Sequence, residues 1–127
     1  MINPVPQNAN DFIEQQLDTM LAASEGAFKT DALTLRGALV SGVDDILRTV
    51  IENKRSDSAW PNHLTLLLTT HGGYIEVVKR IVETIRHHYD HVNFVVPNYA
   101  FSAGTVLVMS GDCIYMDYYS RLGPIDP

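Results

Sequence analysis

The sequence predicts an α/β fold, a largely parallel sheet preceded by two amphipathic helices, and three observations carry that prediction. The first is "LTLLLTT" (Leu64–Thr70), a short and nearly continuous apolar run of the kind found in a strand covered on both faces. The second is a change of period: Tyr74, Val77, Val78, Ile81, Val82 and Ile85 trace one face of a helix. The third is another apolar run, "VNFVV" (Val92–Val96), closed by Pro97, which brings no N–H to a ladder. Strand, helix and strand in that order make a βαβ unit, with a right-handed crossover by the general rule.

The other elements follow in order. Residues 1–9, with Pro4, Pro6 and Asn8, read as a frayed lead-in. Ile13, Leu17, Met20 and Leu21 then keep helical spacing to about residue 25, and Asp11 with Glu14 has the form of a capping box. Beyond Gly26 and the turn-like "KTD", the spacing of Leu35, Leu39, Val43, Ile46 and Val50 predicts a second helix whose apolar face runs through Ile51 and which ends in "ENKRSDSAWPN". On the helix after Gly73, Glu76/Arg80 and Lys79/Glu83 stand as i,i+4 pairs on the polar side. A third unit repeats the theme, with a short apolar helix over Ala100–Ser110 and a strand at "CIYM". The chain stops on "SRLGPIDP", and the natural protein is expected to continue.

Composition narrows the function classes. At 127 residues and 46% hydrophobic content, the chain suffices for one core and is too short for two ordinary domains. A formal charge of -6 with nine scattered cations argues against a nucleic-acid surface, since that affinity rests on clustered Lys and Arg. The single cysteine, Cys113, forms no internal disulfide and, in its apolar run, is expected to be a buried thiol in a reducing compartment. The N-terminus has no basic and apolar leader, and no window approaches the roughly 18 to 20 apolar residues of a membrane span. A cytoplasmic protein is the expectation, with peripheral membrane association left open.

Two motifs can carry chemistry. Gly72-Gly73 follows a buried strand and opens a helix, so the backbone turns sharply and N–H groups face whatever sits there. Ser102 lies at the corresponding turn of the next unit, in "NYAFSAGTVLVMSGD". In open α/β sheets ligands collect beyond the carboxyl ends of the strands, so the two motifs are candidates for one crevice. A serine hydroxyl beside two backbone donors is the arrangement that stabilises a tetrahedral oxyanion in acyl transfer. A glycine turn plus a helix-capping serine is also an ordinary structural pairing.

Three blocks in order, "LLTTHGGYIEVVKRIVETI", "VNFVVPNYAFSAGTVLVMSGDCIYM" and "SRLGPIDP", resemble the serine dehydrogenase proteinase family, a prokaryotic group similar to signal peptide peptidase A and, more remotely, to the proteolytic subunit of Clp. The resemblance covers about residues 60 to 127. It implies the Clp/crotonase fold with stacked ββα units, residues 1–58 forming an N-terminal helical segment and residues 59–127 the first part of a peptidase domain truncated at its C-terminus. It further implies Ser102 as nucleophile, the N–H groups of Gly73 and Ala103 as oxyanion hole, and Gly72 shaping the turn. His71 is a candidate contact to substrate or to Ser102, the alternative being a loop imidazole with no catalytic duty. The expected partners are a peptide or protein substrate and further copies of the chain, with no cofactor and no metal required.

The general base is the missing piece. Aligned with the Clp pattern, "SRLGPIDP" places Ile125 where a histidine would stand, and no lysine follows Ser102, Lys79 being the last. Lys79, beside Arg80 on a polar helix face, reads as a solvated surface lysine, so a base of the lysine kind is expected outside this chain. In "HHYDH", His87 and His91 have the i,i+4 spacing of a metal pair, but a helix C-terminus also favours imidazoles there, and this is the preferred reading. Asp126 reads as a turn residue, while Tyr115, Tyr118 and Tyr119 suit packing or an assembly surface equally. The leading expectation is a serine peptidase of the signal peptide peptidase A type acting through an acyl-enzyme on Ser102. The alternatives are a non-catalytic pseudo-protease or interaction module, and a crotonase-like acyl-CoA enzyme.

Overall fold

The computed structural model describes residues 29–59 and 61–124. Strands β1 (Asp31–Arg36), β2 (His63–Thr69), β3 (His91–Val96) and β5 (Cys113–Met116) form a four-stranded sheet in the order β1-β2-β3-β5, parallel throughout. Two short strands, β4 (Tyr99–Ala100) and β6 (Arg121–Leu122), pair in parallel with each other. Three helices complete the described residues: α1 (Val43–Asp57), α2 (Ile75–His88) and α3 (Ala103–Met109). This is the α/β, mostly parallel arrangement that the sequence predicts. The first predicted helix, to about residue 25, lies outside the described residues.

The central strands show why the apolar runs are continuous. In β2, every residue from Leu64 to Leu68 is buried, because the strand has neighbours on both edges and cover on both faces. Leu33, Leu66, Phe94 and Ile114 are cross-strand partners in one row, and Leu66 and Phe94 are fully buried. Each such side chain contributes roughly 1.5–3 kcal/mol through burial. From α2, Val77, Val78, Ile81 and Ile85 join that core, while Tyr74, expected on the same face, is the exposed residue preceding the helix.

The second predicted helix is corrected. Asp31–Arg36 is a strand, and the helix runs from Val43 to Asp57, through most of the polar stretch expected to end it. Pairing decides the difference: β1 satisfies its backbone groups along the whole length of β2, from Asp31↔Leu64 to Arg36↔Thr69. Gly37 and Gly42, with φ of 111° and 102°, then turn the chain before α1. The buried face of α1 carries Leu47 and Ile51, whereas Ile46 and Val50 are exposed.

Polar groups close the N-terminal end of the sheet. The buried Asp31 carboxylate accepts hydrogen bonds from Arg55 (Nη1–Oδ2 3.0 Å), from the Tyr89 hydroxyl (2.8 Å) and from the Ser58 hydroxyl. The Arg55 guanidinium also lies 5.3 Å from the Tyr89 ring centroid. Burial, reinforced by the Asp31 carboxylate, pushes the Tyr89 phenol well above its ordinary value. Between the helices, Arg80 reaches from α2 to Asp44 (2.9 Å) and Asp45 (3.5 Å) in the first turn of α1, so the pairing expected with Glu76 is not made; Glu76 instead pairs with Lys79 at 3.8 Å.

Strand β5 is one of the two outer strands of this sheet among the described residues, and its burial shows it. Ile114, Tyr115 and Met116 are exposed, and Cys113 is half-buried rather than enclosed as expected, because no strand flanks it on its far side among the described residues. Tyr118 and Tyr119, just beyond it, are also exposed.

Candidate active site

The site forms where β2 and β3 run out. Beyond β2, Thr70 bridges to Ala100 of β4: its N–H donates to the Tyr99 carbonyl (3.2 Å), and the Phe101 N–H donates back to its carbonyl (3.0 Å). That pairing sets the glycine turn and the serine turn side by side. Gly72, at φ 110°, approaches the serine turn so closely that a Cβ on it would stand 2.8 Å from the Phe101 carbonyl oxygen, 2.9 Å from the Ser102 Cβ and 3.3 Å from the Ala103 nitrogen. Only glycine permits both the dihedral and the approach. The Thr70 hydroxyl fixes the turn from below by accepting the Gly72 N–H at 3.0 Å.

Gly73 is held from the other side. The Leu39 N–H donates to the Gly72 carbonyl and the Tyr74 N–H to the Leu39 carbonyl, each at 2.9 Å, so the glycine turn is clamped against the segment after β1. A Cβ on Gly73 would stand 2.1 Å from the Leu39 carbonyl oxygen. Among the described residues, neither the Gly73 N–H nor the Ala103 N–H donates to a backbone carbonyl.

Ser102 occupies the residue before α3 with φ 55° and ψ -123°, a conformation that L-residues rarely adopt. Such a residue stores about 1–3 kcal/mol of strain and persists only where its surroundings impose it. Here they do: the Gly104 N–H donates to the Phe101 carbonyl (2.9 Å) and the Thr105 N–H to the Ser102 carbonyl (3.0 Å), closing a tight turn around the serine. Its side chain makes no cap hydrogen bond to α3, so the ordinary helix-capping role does not account for it. Gly104 is required as well, since a Cβ there would meet the Thr70 methyl at 2.4 Å.

The "RLG" stretch docks beneath this turn. Strand β6 pairs with β4, the Gly123 N–H donates to the Ala100 carbonyl (3.0 Å), and the Thr105 hydroxyl reaches the carbonyl oxygens of both Ala100 and Gly123, each at 3.0 Å. Gly123 also lies against the Phe101 ring. Ile125 and Asp126 lie outside the described residues.

Of the residues singled out by sequence, Ser102, Ala103 and Gly72 are brought together, with Gly73 adjoining them. His71 faces a different set: its Nε2 lies 2.9 Å from the Tyr99 hydroxyl, and its ring contacts those of Tyr99 and Phe101 at 4.6 and 6.0 Å between centroids. Lys79 is exposed and paired with Glu76, as a solvated surface lysine should be. His87 and His91 do not share a helix, because α2 ends at His88 and His91 begins β3. Leu39 and Thr70 were not anticipated. Leu39 acts through backbone atoms alone, which leave no mark in sequence, whereas Thr70 carried a weak signal as a hydroxyl two residues before a glycine turn.

A family model described as ClpP-like SDH-type serine proteinase matches residues 39–127. The chain belongs to that family. The matched region begins at Leu39, the residue that clamps the glycine turn, and takes in every element of the site above. Two proteins of Methanocaldococcus jannaschii are similar in sequence: the uncharacterized protein MJ0137, 34% identical over 64 residues (50% of this chain, 22% of that protein), and the uncharacterized protein MJ1495, 26% identical over 121 residues (91% and 39%). The chain thus spans well under half the length of these curated relatives. Among solved structures, the 1510-N membrane-bound stomatin-specific protease is similar in two forms. A serine-to-alanine mutant superposes with TM-score 0.65 at 23% identity, covering 76% of this chain and 47% of that one. A lysine-to-alanine mutant in complex with a substrate peptide gives TM-score 0.65 at 25% identity, covering 76% and 44%. The ClpP protease catalytic domain from Plasmodium falciparum gives TM-score 0.64 at 11% identity over 99% of this chain and 65% of that one, a likeness of fold.

Proposed function

We propose that this family member is a serine peptidase of the signal peptide peptidase A type, hydrolysing peptide bonds through an acyl-enzyme on Ser102. The observation that carries the proposal is the strained Ser102 held against Gly72, because strain of this kind is kept where a side chain must be presented to a reactant rather than to its own helix. Membership of the family and the likeness to a stomatin-specific protease support it.

In this reading the Ser102 Oγ attacks the scissile carbonyl carbon while a base takes its proton. The negative oxygen that forms is held by the N–H groups of Gly73 and Ala103, each such donor being worth about 3–4 kcal/mol in the transition state. Collapse of the tetrahedral species breaks the C–N bond, and the base returns the proton to the leaving amine. Water then attacks the ester carbonyl through the same oxygen site and frees Ser102. The base is a lysine supplied from outside these residues, since Lys79 is engaged on the far side of α2 with Glu76 and no lysine follows Ser102. Neutral lysine serves when it is desolvated beside its serine. Self-association is part of the proposal, and a peptide or protein is the substrate.

The test is labelling with a fluorophosphonate probe of this chain, of a form extended beyond Pro127, and of Ser102→Ala in each. Labelling of the extended form that disappears in Ser102→Ala is the expected result. Folded, oligomeric protein that stays unlabelled in both lengths would sink the reading in favour of a non-catalytic module or a crotonase-like enzyme, which needs no serine nucleophile.

A further inference from the structure

A groove of about 490 Å³ opens next to the glycine turn, beyond the C-terminal ends of β1 and β2. Arg36, Thr69, His71 and Tyr99 provide its polar groups, Gly37 and Ala38 leave one side without bulk, and Thr70, which holds the Gly72 N–H, lines it as well. Its chemistry departs from that of the rest of the molecule. The chain carries fifteen acidic residues against nine basic ones, yet no carboxylate lines this groove.

Arg36 is exposed there, and its guanidinium makes no ion pair among the described residues. Arg48, Arg55, Arg80 and Arg86 each meet a carboxylate of the chain within 3.0 Å. His71 is oriented as well as exposed: the Tyr99 hydroxyl holds its Nε2 at 2.9 Å, and Tyr99 is itself stacked on Phe101 at 4.9 Å and 16°. In the tautomer in which the Tyr99 hydroxyl donates to Nε2, the imidazole proton sits on Nδ1 and that nitrogen is a donor. A guanidinium fork and an imidazole N–H in one carboxylate-free groove match the oxygens of a carboxylate.

Resting on the peptidase reading above, we infer that this groove is a subsite for an acidic residue of the substrate peptide, with Arg36 as the charged contact and His71, positioned by Tyr99, as a second donor. An acidic side chain entering it gains a charge-assisted pair in a site still open to water, so the preference is modest, about twofold to fivefold over the neutral isostere. It weakens as salt is raised.

Binding tests the subsite without requiring turnover. Fluorescein-labelled decapeptides, with Glu, Gln or Lys fixed at one position at a time in a randomised background, are titrated into Ser102→Ala protein and followed by anisotropy. At one position Glu should bind about twofold to fivefold tighter than Gln. Arg36→Gln in the same background should erase that ratio, and Arg36→Glu should turn the preference toward Lys; Arg36 is exposed, so both variants fold, which circular dichroism verifies. Equal binding of Glu and Gln at every position, a Glu preference that survives Arg36→Gln, or no peptide binding at all would each overturn the inference. The two readings fail separately: a Glu preference in protein that no fluorophosphonate labels leaves the subsite standing and removes the peptidase, whereas labelling without the preference does the reverse.

Discussion

Gly72 and Ser102, thirty residues apart in sequence, lie so close that a methyl group on the glycine would stand 2.9 Å from the serine Cβ. The contact joins the end of β2 to the turn before α3 and defines the site more sharply than any single side chain.

Gly72→Ala therefore carries two penalties, a Cβ at φ 110° and a clash with backbone that has no flexible end to give way. The expected loss of stability is about 2–4 kcal/mol, measured by urea denaturation, with the fluorophosphonate reactivity of the form extended beyond Pro127 lost even at temperatures where the protein remains folded. Unchanged stability and reactivity would show that the turn is looser than described.

Ser102→Gly and Ser102→Ala separate strain from chemistry. Both remove the hydroxyl, but only glycine accepts φ 55° and ψ -123° without cost. Ser102→Gly should be more stable than Ser102→Ala by about 1 kcal/mol, after allowing for the extra freedom of glycine in the unfolded chain. Calorimetry of the two variants decides it, and an alanine variant of equal or greater stability would mean that the backbone relaxes.

Arg55→Met removes the cation from a carboxylate that is 1% exposed and leaves Asp31, among the described residues, with the hydroxyl donors of Tyr89 and Ser58. The expected cost is about 3 kcal/mol or more, most of it the penalty of a buried unpaired charge. Asp31→Leu combined with Arg55→Met should recover much of that loss, as a denaturation series on the two variants and the unaltered chain would reveal.

Tyr89 supplies an alkaline limb to stability. Its pKa is raised in the folded chain by burial and by Asp31, so the native protein keeps the phenolic proton that the unfolded chain releases near pH 10.0. The stabilising contribution is complete below that pH and is lost as pH climbs toward the folded-state value. Tyr89→Phe should flatten the decline of the melting temperature above pH 10, and an ultraviolet titration should find one phenol fewer ionising before unfolding.

Much of the fold was legible because burial imposes periods on sequence. β2 and β3 read as strands since both faces are covered, and α2 since Val77, Val78, Ile81 and Ile85 recur on one side. β1 was not legible: Leu35, Leu39, Val43, Ile46 and Val50 imitate helical spacing, and what makes Asp31–Arg36 extended is the open edge of β2, whose paired residues lie more than thirty positions further along the chain. The meeting of Gly72 with Ser102 could be anticipated from the rule that ligands gather beyond strand ends. The grip of Leu39 could not, because backbone hydrogen bonds select no residue type, and neither could Arg80 crossing to Asp44, since Glu76 offered an equally good partner in sequence.

The Thr105 hydroxyl, bound to the carbonyl oxygens of Ala100 and Gly123, ties the chain before the serine to the chain after β6, and the Gly123 N–H doubles the tie. The two segments consequently form a single mechanical piece. A pull or a twist on the polypeptide past Gly123 is delivered to the carbonyl two residues ahead of Ser102 rather than dissipated in a loop, which gives that stretch the character of a lever whose short arm is the serine turn.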